Sequence, residues 1–330
     1  MAALTVVGCC AFAGFAVAAP LAVYSVTLAL FGLPHVLSEL RYVDRRFGRR
    51  INRRLLAAIV GILGLIVATR AAWVFHLVPP AMGLVGELCL VALLALTVAR
   101  GTAERRAVAI AVALLIGAAT AVAPFDTVIA LAVLHNLTPL GFLWQLAPQD
   151  RRWQVMTPAI LALLGLPLFV ATGLPRLMLT GAGPASLDPL DAGPLGQTLG
   201  AYVPPVLTAS PHAVDLFTGS VVAQGGHYLS VIVVLPWLLS RIEPGARGIL
   251  PWPRTRWFFA LSVVAALVSL AGFAIGFADA RAVYGIAASL HAWLEIPVLI
   301  LALTGAVQRN SNSPATQDAV LATSETSIAR

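Results

Sequence analysis

Long apolar runs, separated by short arginine-bearing segments, dominate the chain. Eight of them are clear, at about 55–77, 83–99, 107–123, 127–146, 154–174, 213–240, 257–277 and 283–307. Each is close to the ~20 residues that an α-helix needs to cross the hydrocarbon core of a bilayer. Residues 3–40 are also apolar and contain Pro20, so they form either one long bent helix or two shorter helices with Pro20 at the turn. The runs are continuous and lack the alternation of a membrane β-strand. The pattern predicts an all-α, polytopic integral membrane helical bundle of about nine or ten transmembrane helices. Residues 1–307 read as one such domain, and 308–330, rich in Ser, Thr and Asn, as a polar, disordered tail.

Charge fixes the expected orientation. Seven arginines lie between Arg41 and Arg54; Arg100, Arg105 and Arg106 follow in a second loop, Arg151 and Arg152 in a third, and Arg241, Arg247, Arg254 and Arg256 in a fourth. Counting spans puts all four loops on one side, which the positive-inside rule assigns to the cytoplasm. The reading is therefore a multi-pass protein of the cell inner membrane with a cytoplasmic C-terminus. Residues 175–212 form a long external loop, rich in Gly, Pro and Asp. At its end, Ser210-Pro211 predicts a helix N-cap followed by a first-turn proline.

Composition narrows the chemistry. Only 11% of residues are charged, against about 25% in soluble domains, and mean hydropathy is +0.91. All 21 basic residues are arginine, which excludes a retinal Schiff base and lysine imine chemistry of any kind. The net charge of +7 belongs to membrane-border loops and contacts to anionic lipid, not to nucleic acid. Cys9, Cys10 and Cys89 form no Cys-x-x-Cys motif and lie in apolar runs, so no disulfide framework, zinc site or iron–sulfur cluster is expected. Walker, dinucleotide-binding, His-Glu-x-x-His and Gly-x-Ser-x-Gly motifs are absent, as are the clustered histidine boxes of membrane desaturases.

Five of the six histidines nevertheless lie in or beside apolar runs. Ionisable groups are costly in lipid and normally face a protein interior or a water-filled cavity. His291 and Glu295, four apart, share a helix face. Together they suit iron, manganese or zinc, with Glu295 either coordinating or hydrogen-bonding another helix. His35 and Glu39 repeat the spacing. Gly32 and Pro34 precede them, and this predicts a broken or re-entrant backbone lining a cavity. Glu39 has a second reading, as part of the charged border with Arg41, Asp44 and Arg45. His135, beside Asn136, and His227, after Gln224-Gly225-Gly226, fall at similar depth and can share a ligand; the two glycines permit close approach of another group. His212 and Asp215 read as a solvated helix start, and His76 as an interfacial anchor. Glu87, inside a span, needs a partner, for which Arg70 is the candidate.

Gly32-Leu33-Pro34-His35, with an acid at Glu39, resembles the Gly-x-Pro-His-Gly-x-x-Asp segment of the Brp/Blh family. Those are bacterial membrane β-carotene dioxygenases that produce retinal, with iron held by histidines on several helices. The resemblance implies that His35 is a metal ligand. Val36 stands where the family has glycine, the acid comes at plus four rather than plus three, and no paired-histidine segment follows.

Taken together, the residues point to a metal, iron by preference, on His35, His135, His227 and His291. Glu295 and Glu39 are the candidate catalytic carboxylates, and the substrate is a lipophilic small molecule, an isoprenoid or lipid, arriving from the bilayer. The alternatives are a b-type haem held by two of the histidines and a proton-coupled carrier with the same groups as relays.

Overall fold

The computed structural model of the chain describes residues 2–179, 181 and 184–305. The sequence-predicted tail at 308–330 lies outside them. No strand occurs among the described residues. The helices are α1 (Ala2–Ala18), α2 (Pro20–Phe47), α3 (Arg53–Val74), α4 (Pro80–Leu96), α5 (Ala103–Val122), α6 (Pro124–His135), α7 (Thr138–Leu146), α8 (Arg152–Ile160), α9 (Leu166–Ala171), α10 (Leu174–Leu179), α11 (Leu195–Thr198), α12 (Ala213–Leu229), α13 (Leu235–Ile242), α14 (Thr255–Ile275) and α15 (Phe277–Leu303). Eight helical segments are long and apolar enough to cross a membrane; α4 and the apolar part of α1 are shorter. Leu114, Leu115, Leu267 and Ile275 are among the many large apolar side chains left on the outer surface. In a membrane protein such a surface is solvated by lipid.

Proline and glycine determine where the rods start, bend and touch. Pro20 opens α2, because its fixed φ and missing N–H suit a first helical position, so residues 3–40 are two helices. The expected break near His35 does not occur. α2 runs unbroken through Gly32 and Pro34, with the Tyr284 ring packed against Gly32. A transmembrane helix tolerates proline where neighbouring elements compensate the lost bond. The break falls elsewhere: the span predicted at 127–146 is interrupted between His135 and Thr138. Two π-helical turns, at Leu161–Gly165 and Ser230–Val234, precede Pro167 and Pro236. α12 begins two residues later than Ser210-Pro211 predicts; the Ser210 hydroxyl accepts from the His212 amide ahead of it.

α2, the α12–α13 rod and α15 form the centre of the bundle. Half or more of their apolar windows is buried (61%, 50% and 50%), against at most 28% for the other long spans. Gly219 of α12 admits the Pro167 carbonyl, which a Cβ would meet at 2.7 Å. Gly225 admits the Phe12 ring of α1. One apolar core gathers around Tyr24, Phe217 and Phe277 near one end of these rods, and another around Tyr42, Phe142 and Leu235 near the other. His35, Glu39, His227, His291 and Glu295 lie along the rods between the two.

Two of the arginine-rich loops, 41–54 and 241–256, meet. Asp44 accepts from the Ile249 and Leu250 amides and from the Trp252 indole, while Arg45 donates to the Ala246 carbonyl. Glu243, just past α13, pairs with Arg46 and, at 2.9 Å, with Arg50. Burial raises the Glu243 carboxyl, but hydrogen bonds and charge from Arg50 and Arg46 outweigh it and hold it below its ordinary range.

Two outcomes follow. In a variant without native cysteines, a membrane-impermeant thiol reagent applied to intact cells should label a cysteine at exposed Ser186 and spare one at exposed Asp150; the reverse pattern would invert the orientation. Stability contributed by a carboxylate with a depressed pKa is present above the unfolded value of 4.5 and lost as pH falls through the lower folded one. Thermal unfolding in micelles should therefore drop more steeply on acidification through that window in wild type than in Glu243→Gln, and equal slopes would remove Glu243 from the account.

Candidate metal centre

Four histidines converge between the two cores. His35 comes from α2, His227 from α12 and His291 from α15, all buried. His135 is the last residue of α6, where the break before α7 turns its side chain toward the other three. Each offers one ring nitrogen, and all these atoms lie within 4.8 Å of one another. The four-histidine group can hold a metal ion.

Hydrogen bonds orient two of the rings. His35 Nδ1 lies 3.1 Å from the Phe31 carbonyl, one turn back on α2. When Nδ1–H donates there, the Nε2 lone pair is free, and Nε2 faces His291 Nε2 at 2.9 Å. Two nitrogens each 2.0–2.1 Å from one metal, at right angles, would be about 3 Å apart. His135 Nδ1 lies 2.5 Å from Glu295 Oε2. The Thr138 hydroxyl lies 2.6 Å from Glu295 Oε1. Both oxygens of Glu295 are thus occupied, which makes it the carboxylate that orients His135 from behind, a common arrangement at metal-bound histidines.

The remaining polar atoms have little to bind within the protein. Both ring nitrogens of His227, Nδ1 of His291 and both oxygens of Glu39 are buried without a well-formed hydrogen bond among the described residues, and Glu39 lies against the Glu295 carboxyl. Glu39 Oε2 is 3.8 Å from His227 Nε2 and 4.0 Å from His291 Nε2. Unsatisfied groups at membrane depth are expensive. A cation at the convergence point would satisfy imidazole lone pairs and carboxylate together. This corrects the reading of Glu39 as part of the charged border: it is 1% exposed and faces the histidines.

A cavity of about 690 Å³ opens onto His35, His135 and His291. Its wall beside His35 carries a relay that the sequence reading missed. Tyr202 donates to Gln224 Oε1 (2.8 Å), Gln224 Nε2 donates to the Tyr228 hydroxyl (2.7 Å), and Tyr228 bonds to Tyr284. The Tyr228 ring lies 4.3 Å from that of His35. Gln224, His227 and Tyr228 share a face of α12 at i, i+3 and i+4, so two of these residues could have been found by spacing. Tyr202 lies in the long loop, where no periodicity marks it.

The other singled-out residues stay apart from the cluster. His212 is 65% exposed; its neighbour Asp215 is buried and bound by Arg176 at 2.6 and 3.0 Å. His76 is exposed in the turn after α3 with φ of 59° and borders the cavity. Glu87 pairs with Arg70 at 2.6 Å, the partner that the sequence suggested. In comparisons with known proteins, no family model, no curated protein and no solved structure matches the chain.

Proposed function

We propose that this protein is an integral membrane metalloenzyme with one non-haem transition-metal ion, iron by preference, on His35, His135, His227 and His291, and that it oxidises a lipophilic molecule held in the adjoining cavity. The observation that carries this reading is the convergence of four imidazoles from separate spans, three of them buried, on one point in an apolar bundle. Imidazole donors suit iron, copper, nickel and zinc, and iron with an open position supplies dioxygen activation. The resemblance of the Gly32–His35 segment to the Brp/Blh dioxygenases supports the same reading, since the histidine it singles out belongs to the cluster.

The chain's own residues have separable tasks. Glu295 fixes the ring orientation of His135 and favours the tautomer whose Nε2 faces inward. Glu39, close to two of the imidazoles, offsets positive charge and can accept or return a proton. Tyr228 braces His35 and continues the hydrogen-bonded relay toward Tyr202. With all four ring nitrogens within 4.8 Å of one another, a porphyrin plane between any two imidazoles would run into the other two, which favours a bare ion over haem b.

Elemental analysis and an optical spectrum of the purified protein test the reading. Wild type should carry about one tightly held transition metal per chain. His35→Ala, His135→Ala, His227→Ala and His291→Ala should lose it, and His76→Ala should keep it. Glu295→Gln should weaken binding by about 10–100-fold, the usual effect of removing a group that orients a ligand, and so less than the histidine changes. A Soret band would replace the reading with haem b. A metal-free, haem-free wild type that is still functional would leave the carrier alternative.

A further inference from the structure

A groove of about 320 Å³ runs between α2, the α12–α13 rod and α14, apart from the cavity at the metal centre. Its deeper walls are apolar, with Leu30, Phe31 and Pro34 from α2 and Phe259, Val263 and Ala266 from α14. Phe31, Phe259 and Val263 are also exposed, so the groove opens sideways onto the bilayer. Along α2 it extends from Leu30 to Arg45, about 22 Å at 1.5 Å per residue. That exceeds the ~15 Å of hydrocarbon in one leaflet. Trp237 and Trp257 are exposed near the Arg45 end, with Arg241 and Arg256 against their rings, and such residues mark headgroup depth.

The rim at that end is cationic. Arg41 donates through Nη2 to the Pro253 carbonyl (3.2 Å), and its guanidinium lies 4.1 Å from the centre of the Phe258 ring. Arg45, one turn on, donates through Nε to the Ala246 carbonyl (3.1 Å). Both side chains are partly exposed, and neither forms an ion pair among the described residues. The carboxylates nearby are engaged elsewhere. Glu243, which borders the groove, pairs with Arg46 and Arg50, and Asp44 accepts from the Ile249 and Leu250 amides and the Trp252 indole. Like charges four apart on a helix repel, so an anion shared by Arg41 and Arg45 would relieve them both. α14 starts at Thr255 on the same rim with no side chain capping its first amides, and its positive end adds to the field. An anionic head at the rim and an apolar chain below it match the groove along its whole length. We infer that the groove is a specific site for one anionic phospholipid of the leaflet on the arginine-bearing side, with its phosphate at Arg41 and Arg45 and an acyl chain between α2 and α14. The inference does not depend on the proposed function.

Native mass spectrometry of the full-length protein in neutral detergent tests this, with phosphatidylglycerol and phosphatidylcholine of identical chains as probes. Wild type should retain one phosphatidylglycerol about tenfold more tightly than phosphatidylcholine, the scale of two arginines acting on one net charge. Arg41→Gln with Arg45→Gln should abolish the preference, and Arg41→Lys with Arg45→Lys should keep most of it. Ala266→Phe fills the apolar end of the groove on a lipid-facing helix and leaves every charge in place, so it should weaken phosphatidylglycerol binding even if the glutamine variant does not fold. Arg53 and Arg54 are exposed and lie outside the groove, so Arg53→Gln with Arg54→Gln should leave the preference intact. Equal retention of the two lipids by wild type would overturn the inference. So would unchanged binding in Ala266→Phe, or an equal loss of preference in the Arg53 and Arg54 variant, which would make the effect one of general surface charge.

Discussion

Lipid offers no hydrogen bonds, and the centre of this protein is built around that fact. A histidine or glutamate in the middle of a bundle must be satisfied by another part of the chain or by something bound to it. One oxygen of Glu87 is satisfied internally, by Arg70 and Trp293, and both oxygens of Glu295 by His135 and Thr138. His227 makes no well-formed hydrogen bond, and Glu39 meets the carboxyl of Glu295. The difference separates polar groups that hold the bundle together from polar groups that face a shared point. The three most buried rods carry His35, His227 and His291, and an apolar core lies on either side of that layer along the rods.

The same constraint explains what could be read from the sequence. Spans are legible because a helix in hydrocarbon must be apolar over a fixed length. The four histidines stand out because nothing in lipid favours them. Glu39 was harder to place. It lies two residues before Arg41 and five before Asp44, which suggests a charged border. On a helix, however, two residues correspond to more than half a turn, so one turn of α2 presents Glu39 to the histidines and Arg41 to the other side. At 28 residues α2 is about 42 Å long, longer than the hydrocarbon is thick, so sequence distance from an arginine does not measure depth.

The backbone break was expected in the wrong place for a related reason. Pro34 and Gly32 look like breakers, but Tyr284 packs against that turn and the helix continues. Between His135 and Thr138 the sequence signal is weaker, a single Pro139, yet there the chain ends one helix and begins the next. The interruption lets His135 and Thr138 approach Glu295 together. The tyrosine relay depends on tertiary contact between the long loop and α12, and no local pattern encodes that.

The spread of the four histidines along the chain has a consequence for biogenesis. His35 lies on α2 and His291 on α15, with the other two between them. As the helices enter the membrane in order, the early part of the nascent chain carries exposed imidazoles without their partners. Only insertion of α15 brings in His291, together with the carboxylate that orients His135. The centre is completed only once α15 has inserted, so an ion captured there would tie α2 to α15 and distinguish molecules that carry α15 in place from those that do not.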